Sequence, residues 1–146
     1  KNIKALSDLD GRLPLDTAQK ALLNKAQGQI LYFYLSGTMI FGVSKALSRE
    51  LGSLGDHHAL IVDLSDVSFL DDTIILTIEN LIKDAQSIDK QIVMLVKNPK
   101  VKEKLMHIGF ENMVNDADFV QNRTQALELA YKKLIDGGFL KEEMSV

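Results

Sequence analysis

Four carboxylates, Asp63, Asp66, Asp71 and Asp72, crowd one short stretch, with the hydroxyls of Ser65, Ser68 and Thr73 interleaved among them. An acidic cluster at the carboxyl end of a parallel strand is where an α/β sheet places a ligand site, and it could hold Mg²⁺ for phosphoacceptor chemistry. That chemistry needs a further acidic pair after an earlier strand, and the corresponding stretch reads Leu35-Ser36-Gly37-Thr38-Met39. The same residues also have a plainer reading, in which Asp71 caps a helix, Asp72 places negative charge at the positive end of its dipole, and Asp63 satisfies a loop. His57 and His58 follow Asp56. Adjacent histidines rarely converge on one ion without a third ligand at suitable spacing, so this is expected to be a solvated turn. His107 reads as a polar surface residue near a helix C-terminus.

Other chemistries are excluded more firmly. The 146 residues contain no cysteine, which rules out disulfides, thiolate metal sites and cysteine nucleophiles. Neither GxGxxG nor GxxxxGK[ST] occurs, and there is no GxSxG elbow. No cofactor, no metal and no hydrolase or transferase activity are therefore expected. With 17 basic against 20 acidic side chains and a net charge of −3, a nucleic-acid binder relying on phosphate neutralisation is disfavoured. Apolar runs such as Ala59 to Val62 fall far short of the roughly 20 residues that cross a bilayer. A chain starting Lys1-Asn2-Ile3, with no initiator methionine and no signal-peptide pattern, is expected to be a piece of a longer protein.

The elements that must position these residues alternate in type. Residues 1–28 read as a linker of net charge +2, from five basic residues (Lys1, Lys4, Arg12, Lys20, Lys25) and three acidic ones (Asp8, Asp10, Asp16). They end in a short helix capped by Asp16, with Ala18, Leu22 and Leu23 inward. A strand over Ile30 to Leu35 and a second over Thr38 to Phe41 form a hairpin. Ile40, Val43, Leu47, Leu51 and Leu54 recur at helical spacing, with Gly52 and Gly55 as stops. The run Ala59 to Leu64 has the pattern of a strand buried on both faces of a parallel sheet. Asp71 then starts a helix with Ile75, Ile78, Leu81, Ile82 and Ala85 inward, followed by a strand from Gln91 to Val96. Asn98 and Pro99 open a helix that buries Val101, Leu105 and Ile108 and stops at Gly109. Phe119-Val120 is a last short strand. Asn122 and Gln125 have capping-box spacing for a final helix carrying Leu127, Ala130 and Leu134, ended by Gly137-Gly138. The tail at 137–146 is expected to be loose. The fold class is α/β, a mixed β-sheet flanked by about four to five α-helices.

The stretch from Ile30 through Leu47, with Ser36, Gly37 and Phe41, followed by Asp63, Leu64, Ser65, Val67, Phe69, Leu70 and Asp71, resembles a STAS domain. This module is shared by anti-sigma-factor antagonists and the cytoplasmic parts of sulfate-permease-type (SulP) anion transporters, and the resemblance covers residues 29–136. Antagonists of the family carry a phosphorylatable serine directly after the loop aspartate; here that position is Asp72, followed by Thr73. The transporter branch fits better, and the sodium-dependent bicarbonate transporters of cyanobacteria most of all. The resemblance then implies a non-catalytic regulatory and dimerisation domain at the cytoplasmic face of the membrane. It would follow a transmembrane transport domain of the same polypeptide, through which alone it meets the membrane, and would act as a homodimer. The regulatory loop would comprise Asp63, Ser65, Asp66, Ser68, Asp71, Asp72 and Thr73. Some of Tyr32, Tyr34, Met39 and Phe139, apolar residues with no obvious place in one core, are expected to line the dimer contact. A stand-alone signalling antagonist that sequesters a kinase or anti-sigma partner is the alternative.

Overall fold

The structure is a computed structural model that describes residues 2–5, 15–26, 29–36, 39–43, 58–87, 89–109 and 114–140. Among these are six strands, β1 (Asn2–Ala5), β2 (Ile30–Ser36), β3 (Met39–Val43), β4 (Ala59–Asp63), β5 (Gln91–Leu95) and β6 (Phe119–Val120). Four α-helices accompany them: α1 (Thr17–Lys25), α2 (Asp72–Ser87), α3 (Pro99–His107) and α4 (Arg123–Asp136). The strands form one sheet in the order β1-β3-β2-β4-β5-β6. Only the β2–β3 hairpin is antiparallel; every other neighbouring pair is parallel.

Strand side chains alternate between the two faces of a sheet, and in the central strands β2, β4 and β5 both faces are buried. Leu31, Phe33 and Leu35 of β2 join Leu60, Val62, Ile92 and Met94 on one face. There they meet Ile78, Leu81 and Ile82 of α2 and Val101 and Leu105 of α3. Ile30, Tyr32 and Tyr34 join Ile61, Val93 and Leu95 on the other, against Leu23 of α1 and Leu127, Ala130 and Leu134 of α4. Double-sided burial is why β4 and β5 read as continuous apolar runs rather than alternating ones.

The helix starts follow their caps. Asp16 and Gln19 form a reciprocal capping box at α1, and the Asn98 side chain accepts from the Lys100 N–H ahead of Pro99. Asn122 accepts from the Gln125 N–H at α4, while the Gln125 side chain reaches back to the N–H of Gln121 rather than to Asn122. Gly109, at φ 97°, ends α3 in the left-handed region that glycine tolerates.

Several expectations are corrected. Ile40 and Val43 belong to β3, paired with Leu35 and Tyr32 of β2, because the pairing of β3 to β2, and of Ile40 also to Ile3 of β1, outweighs their helical spacing. Leu47, Leu51, Leu54, Gly52 and Gly55 lie outside the described residues. Residues Asn2–Ala5, read as linker, form β1: β3 offers them an open edge in parallel register, a tertiary partner that the local sequence does not announce. Ala18 and Ile108 face solvent. In α2 it is Ile74 that is buried, with Ile75 packed at the periphery of the core. Tyr32 and Tyr34 are 0% and 8% exposed, so neither offers a surface for such a contact; their hydroxyls bond to Asp63 and Asp66. Residues 141–146 of the tail, and the side chain of Met39, lie outside what the structure describes.

Candidate functional site

The most polar constellation lies where the carboxyl ends of β2 and β4 meet the start of α4. Asp63 ends β4 opposite Tyr34 in the parallel register with β2 and is completely buried. A buried carboxylate is tolerated only when paired and hydrogen-bonded, and Asp63 is both. Its Oδ2 accepts from the Tyr32 hydroxyl at 2.6 Å and from Arg123 Nε at 3.0 Å. Its Oδ1 accepts from the N–H of Ser65 at 2.9 Å and from the Ser65 hydroxyl at 2.5 Å. Arg123 Nη2 in turn donates to Ser65 Oγ at 2.6 Å and to Asp66 Oδ2 at 3.0 Å. The Tyr34 hydroxyl donates to that same Asp66 oxygen at 2.5 Å, and the guanidinium carbon lies 5.7 Å from the Tyr34 ring centroid.

Arg123 is the first residue of α4, where the helix dipole disfavours a cation. Burial also works against its charge. The charge of Asp63 and the hydrogen bond to it, followed by Tyr32 and Asp66, outweigh that and raise its pKa above the ordinary guanidinium value. The arrangement is a polar clamp that ties two central strands to one helix. Tyr32 is held protonated well above the usual phenol range, first by burial and then by the charge and hydrogen bond of Asp63, with Arg123 acting weakly in the opposite sense.

That shift has a testable sign. A pKa raised by folding contributes stability that is complete below the unfolded tyrosine value of about 10 and is lost as pH rises beyond it. Alkaline unfolding is therefore expected to begin above pH ~10 and to coincide with a step in phenolate absorbance. Tyr32→Phe should remove that coincident step. At neutral pH the same variant should cost about 1 to 2 kcal/mol, because Asp63 loses a donor. A wild-type chain whose Tyr32 ionises while its circular dichroism stays native would contradict this.

The residues singled out in the sequence divide into separate roles. Asp63, Ser65 and Asp66 belong to the clamp. Asp71 caps α2, its Oδ1 accepting from the N–H of Ile74 at 2.8 Å. Ser68, Asp72 and Thr73 are exposed. Between these groups Val67 and Leu70 are buried while Phe69 is 71% exposed. Lys104 fastens the loop, donating to the Leu70 carbonyl at 3.0 Å with its ammonium 5.5 Å from the Phe69 ring centroid. Ser65, Asp66 and Ser68 also line a shallow groove of about 380 Å³ with Lys97, Asn98 and Pro99.

Tyr32, Tyr34 and Arg123 were missed in the sequence. The available signal was Arg123 itself, since a cation directly after the Asn122 cap calls for an anion in front of it. His58 is not the solvated turn residue expected. Its ring stacks on Phe139 with centroids 4.0 Å apart and its Nδ1 meets the Gln29 side-chain oxygen. Phe139 is thus engaged within the chain, and His57 lies outside the described residues. Among the described residues no group of three or more His, Asp or Glu side chains is placed to hold a metal ion, and no helix is long and apolar enough to cross a membrane.

Comparison with known proteins bears on this arrangement. The family model described as "STAS domain" matches residues 21–126. The chain is 33% identical over 141 residues to the bicarbonate transporter BicA of Picosynechococcus sp., an alignment covering 94% of this chain and 25% of that protein. It is likewise 33% identical over 128 residues to the bicarbonate transporter BicA of Synechocystis sp., covering 88% of this chain and 23% of that protein. The chain thus matches about a quarter of the length of these curated relatives.

Proposed function

The chain belongs to the STAS domain family, and from that premise we propose that it is the non-catalytic regulatory domain of a SulP-type inorganic anion transporter, with bicarbonate as the transported ion. The observation that carries this reading is the alignment of 94% of the chain with only a quarter of a bicarbonate transporter. That much additional sequence in the matching transporter supports a transmembrane transport domain as the partner in the same polypeptide, and on this reading the domain lies at its cytoplasmic face. A homodimer is the expected assembly, two-fold symmetry being the commonest closed arrangement for identical subunits. The polar clamp supports a non-catalytic role, because both oxygens of its buried carboxylate, Asp63, are engaged by Tyr32, Ser65 and Arg123 in joining β2, β4 and α4.

On this reading the exposed start of α2, with Ser68, Asp72 and Thr73, is a permanently anionic docking or regulatory surface. Asp72 is the first residue of α2 and occupies the place where antagonists of the family carry a phosphorylatable serine, so a serine kinase cannot switch the corner at that residue. A carboxylate there stabilises the helix by roughly 0.3 to 1 kcal/mol through the dipole. Asp72→Ser and Asp72→Ala, placed in the complete transporter, should change bicarbonate uptake severalfold. In this chain alone they should lower the melting temperature by only about 1 to 3 °C. Unchanged uptake with a lowered melting temperature would leave Asp72 as a helix-start charge and remove the regulatory reading.

A further inference from the structure

We propose that the groove between α3 and the start of α4 binds an acidic, amphipathic segment of a partner protein. The groove is an open one of about 1020 Å³ at the carboxyl ends of β5 and β6, and it shares Lys97 and Pro99 with the shallow groove beside Ser68. Its rim carries Lys97, Lys100 and Lys102, and its floor includes Met106, Phe119 and Leu129, all three only partly buried. Lys97 and Lys100 are exposed, and neither side chain has a partner among the described residues. Lys102 pairs with Asp116 at 3.2 Å and lies 5.2 Å from the Phe119 ring centroid. Asp116 is 83% exposed, and a pair that open to water is worth little, so an incoming carboxylate can take its place.

The charge is concentrated here against the trend of the whole molecule. The chain as a whole is at −3, yet the lining of the groove holds three lysines (Lys97, Lys100, Lys102) and one acid (Glu103). Complementarity therefore calls for an anionic occupant. The apolar part of the lining selects among anions. An anionic bilayer surface offers the lysines charge alone, whereas an acidic peptide with apolar residues beside its carboxylates also meets Phe119 and Met106. Recognition of that kind combines apolar anchors in a groove with charged contacts around it. The inference stands independently of the transporter reading, because it draws on none of Ser68, Asp72 and Thr73, the residues of the proposed anionic surface.

The test is fluorescence anisotropy with this chain and three labelled peptides, of alternating Glu and Leu, of Glu and Ser at equal charge, and of Lys and Leu. Anionic phosphatidylglycerol vesicles and ATP serve as further competitors. The Glu/Leu peptide should bind, more weakly as salt rises towards ~0.15 M, and the other two peptides should not. Lys97→Glu with Lys100→Glu should weaken binding at least about tenfold, and Met106→Ser severalfold, with circular dichroism showing both variants folded. Equal binding of the Glu/Ser peptide would reduce the site to unspecific charge and overturn the proposal. So would displacement of the Glu/Leu peptide by vesicles or ATP at lower concentration than by unlabelled peptide. Absence of binding at millimolar Glu/Leu peptide, or binding that the double lysine variant leaves unchanged, would overturn it equally.

Discussion

Arg123→Ala is expected to destabilise the chain by about 3 kcal/mol, read as a fall in the urea midpoint at constant slope. Breaking a buried ion pair by removing one partner costs about 3 to 5 kcal/mol, since the remaining charge is left without compensation in a poorly polarisable interior. Asp63 is fully buried while the Arg123 side chain is 21% exposed, and Asp63 keeps its donors on Tyr32 and Ser65, so the lower end of that range applies. Arg123→Lys should recover little. One ammonium on a flexible stem cannot reproduce the fan in which Nε meets Asp63 while Nη2 meets Ser65 and Asp66. Combining Arg123→Met with Asp63→Leu should cost less than Arg123→Ala alone, because a buried pair replaced as a unit by apolar side chains sheds its desolvation penalty. A cost below about 1 kcal/mol for Arg123→Ala would reduce the clamp to an ordinary surface ion pair.

The double-mutant comparison also explains which parts of this site could be read in the sequence. The acidic corner was visible because Asp63, Asp66, Asp71 and Asp72 are neighbours in the chain, and the caps at Asp16, Asp71, Asn98 and Asn122 were visible because a cap bonds within three residues of itself. The division of labour inside the corner was not. It depends on Arg123, 60 residues from Asp63, and on Tyr32, 31 residues before it, brought together only by the order of the sheet and the return of α4. β1 was hidden for the same reason, its bonds being supplied by β3. Tyr32 and Tyr34 looked like surplus aromatics suited to an interface because their hydroxyl partners are remote in sequence. The strands β4 and β5, by contrast, declare themselves through double-sided burial, a property each segment carries alone.

That double-sided burial sets the second large effect. Phe33→Ala is expected to cost about 4 kcal/mol and to lower the melting temperature by roughly 8 to 16 °C. Phe33 is 2% exposed in the middle of β2, on the face shared with α2 and α3. Removing a buried phenyl forfeits its transfer free energy and leaves a cavity that neighbours fill only in part. The neighbours here have little freedom to move in. The sheet registers Phe33 against Val62 of β4 on one side and Gly42 of β3 on the other, so the position across the hairpin offers no side chain to close the gap. Phe33→Leu, which keeps most of the volume, should cost about 1 kcal/mol. Phe69→Ala is the matched control: the same atoms are deleted from a residue that is 71% exposed, and the change should stay within about 1 kcal/mol, the reach of its contact with Lys104. A Phe33→Ala chain that unfolds within about 1.5 kcal/mol of wild type would mean that this face of β2 is not packed under α2 and α3, and the two-sided core would have to be redrawn.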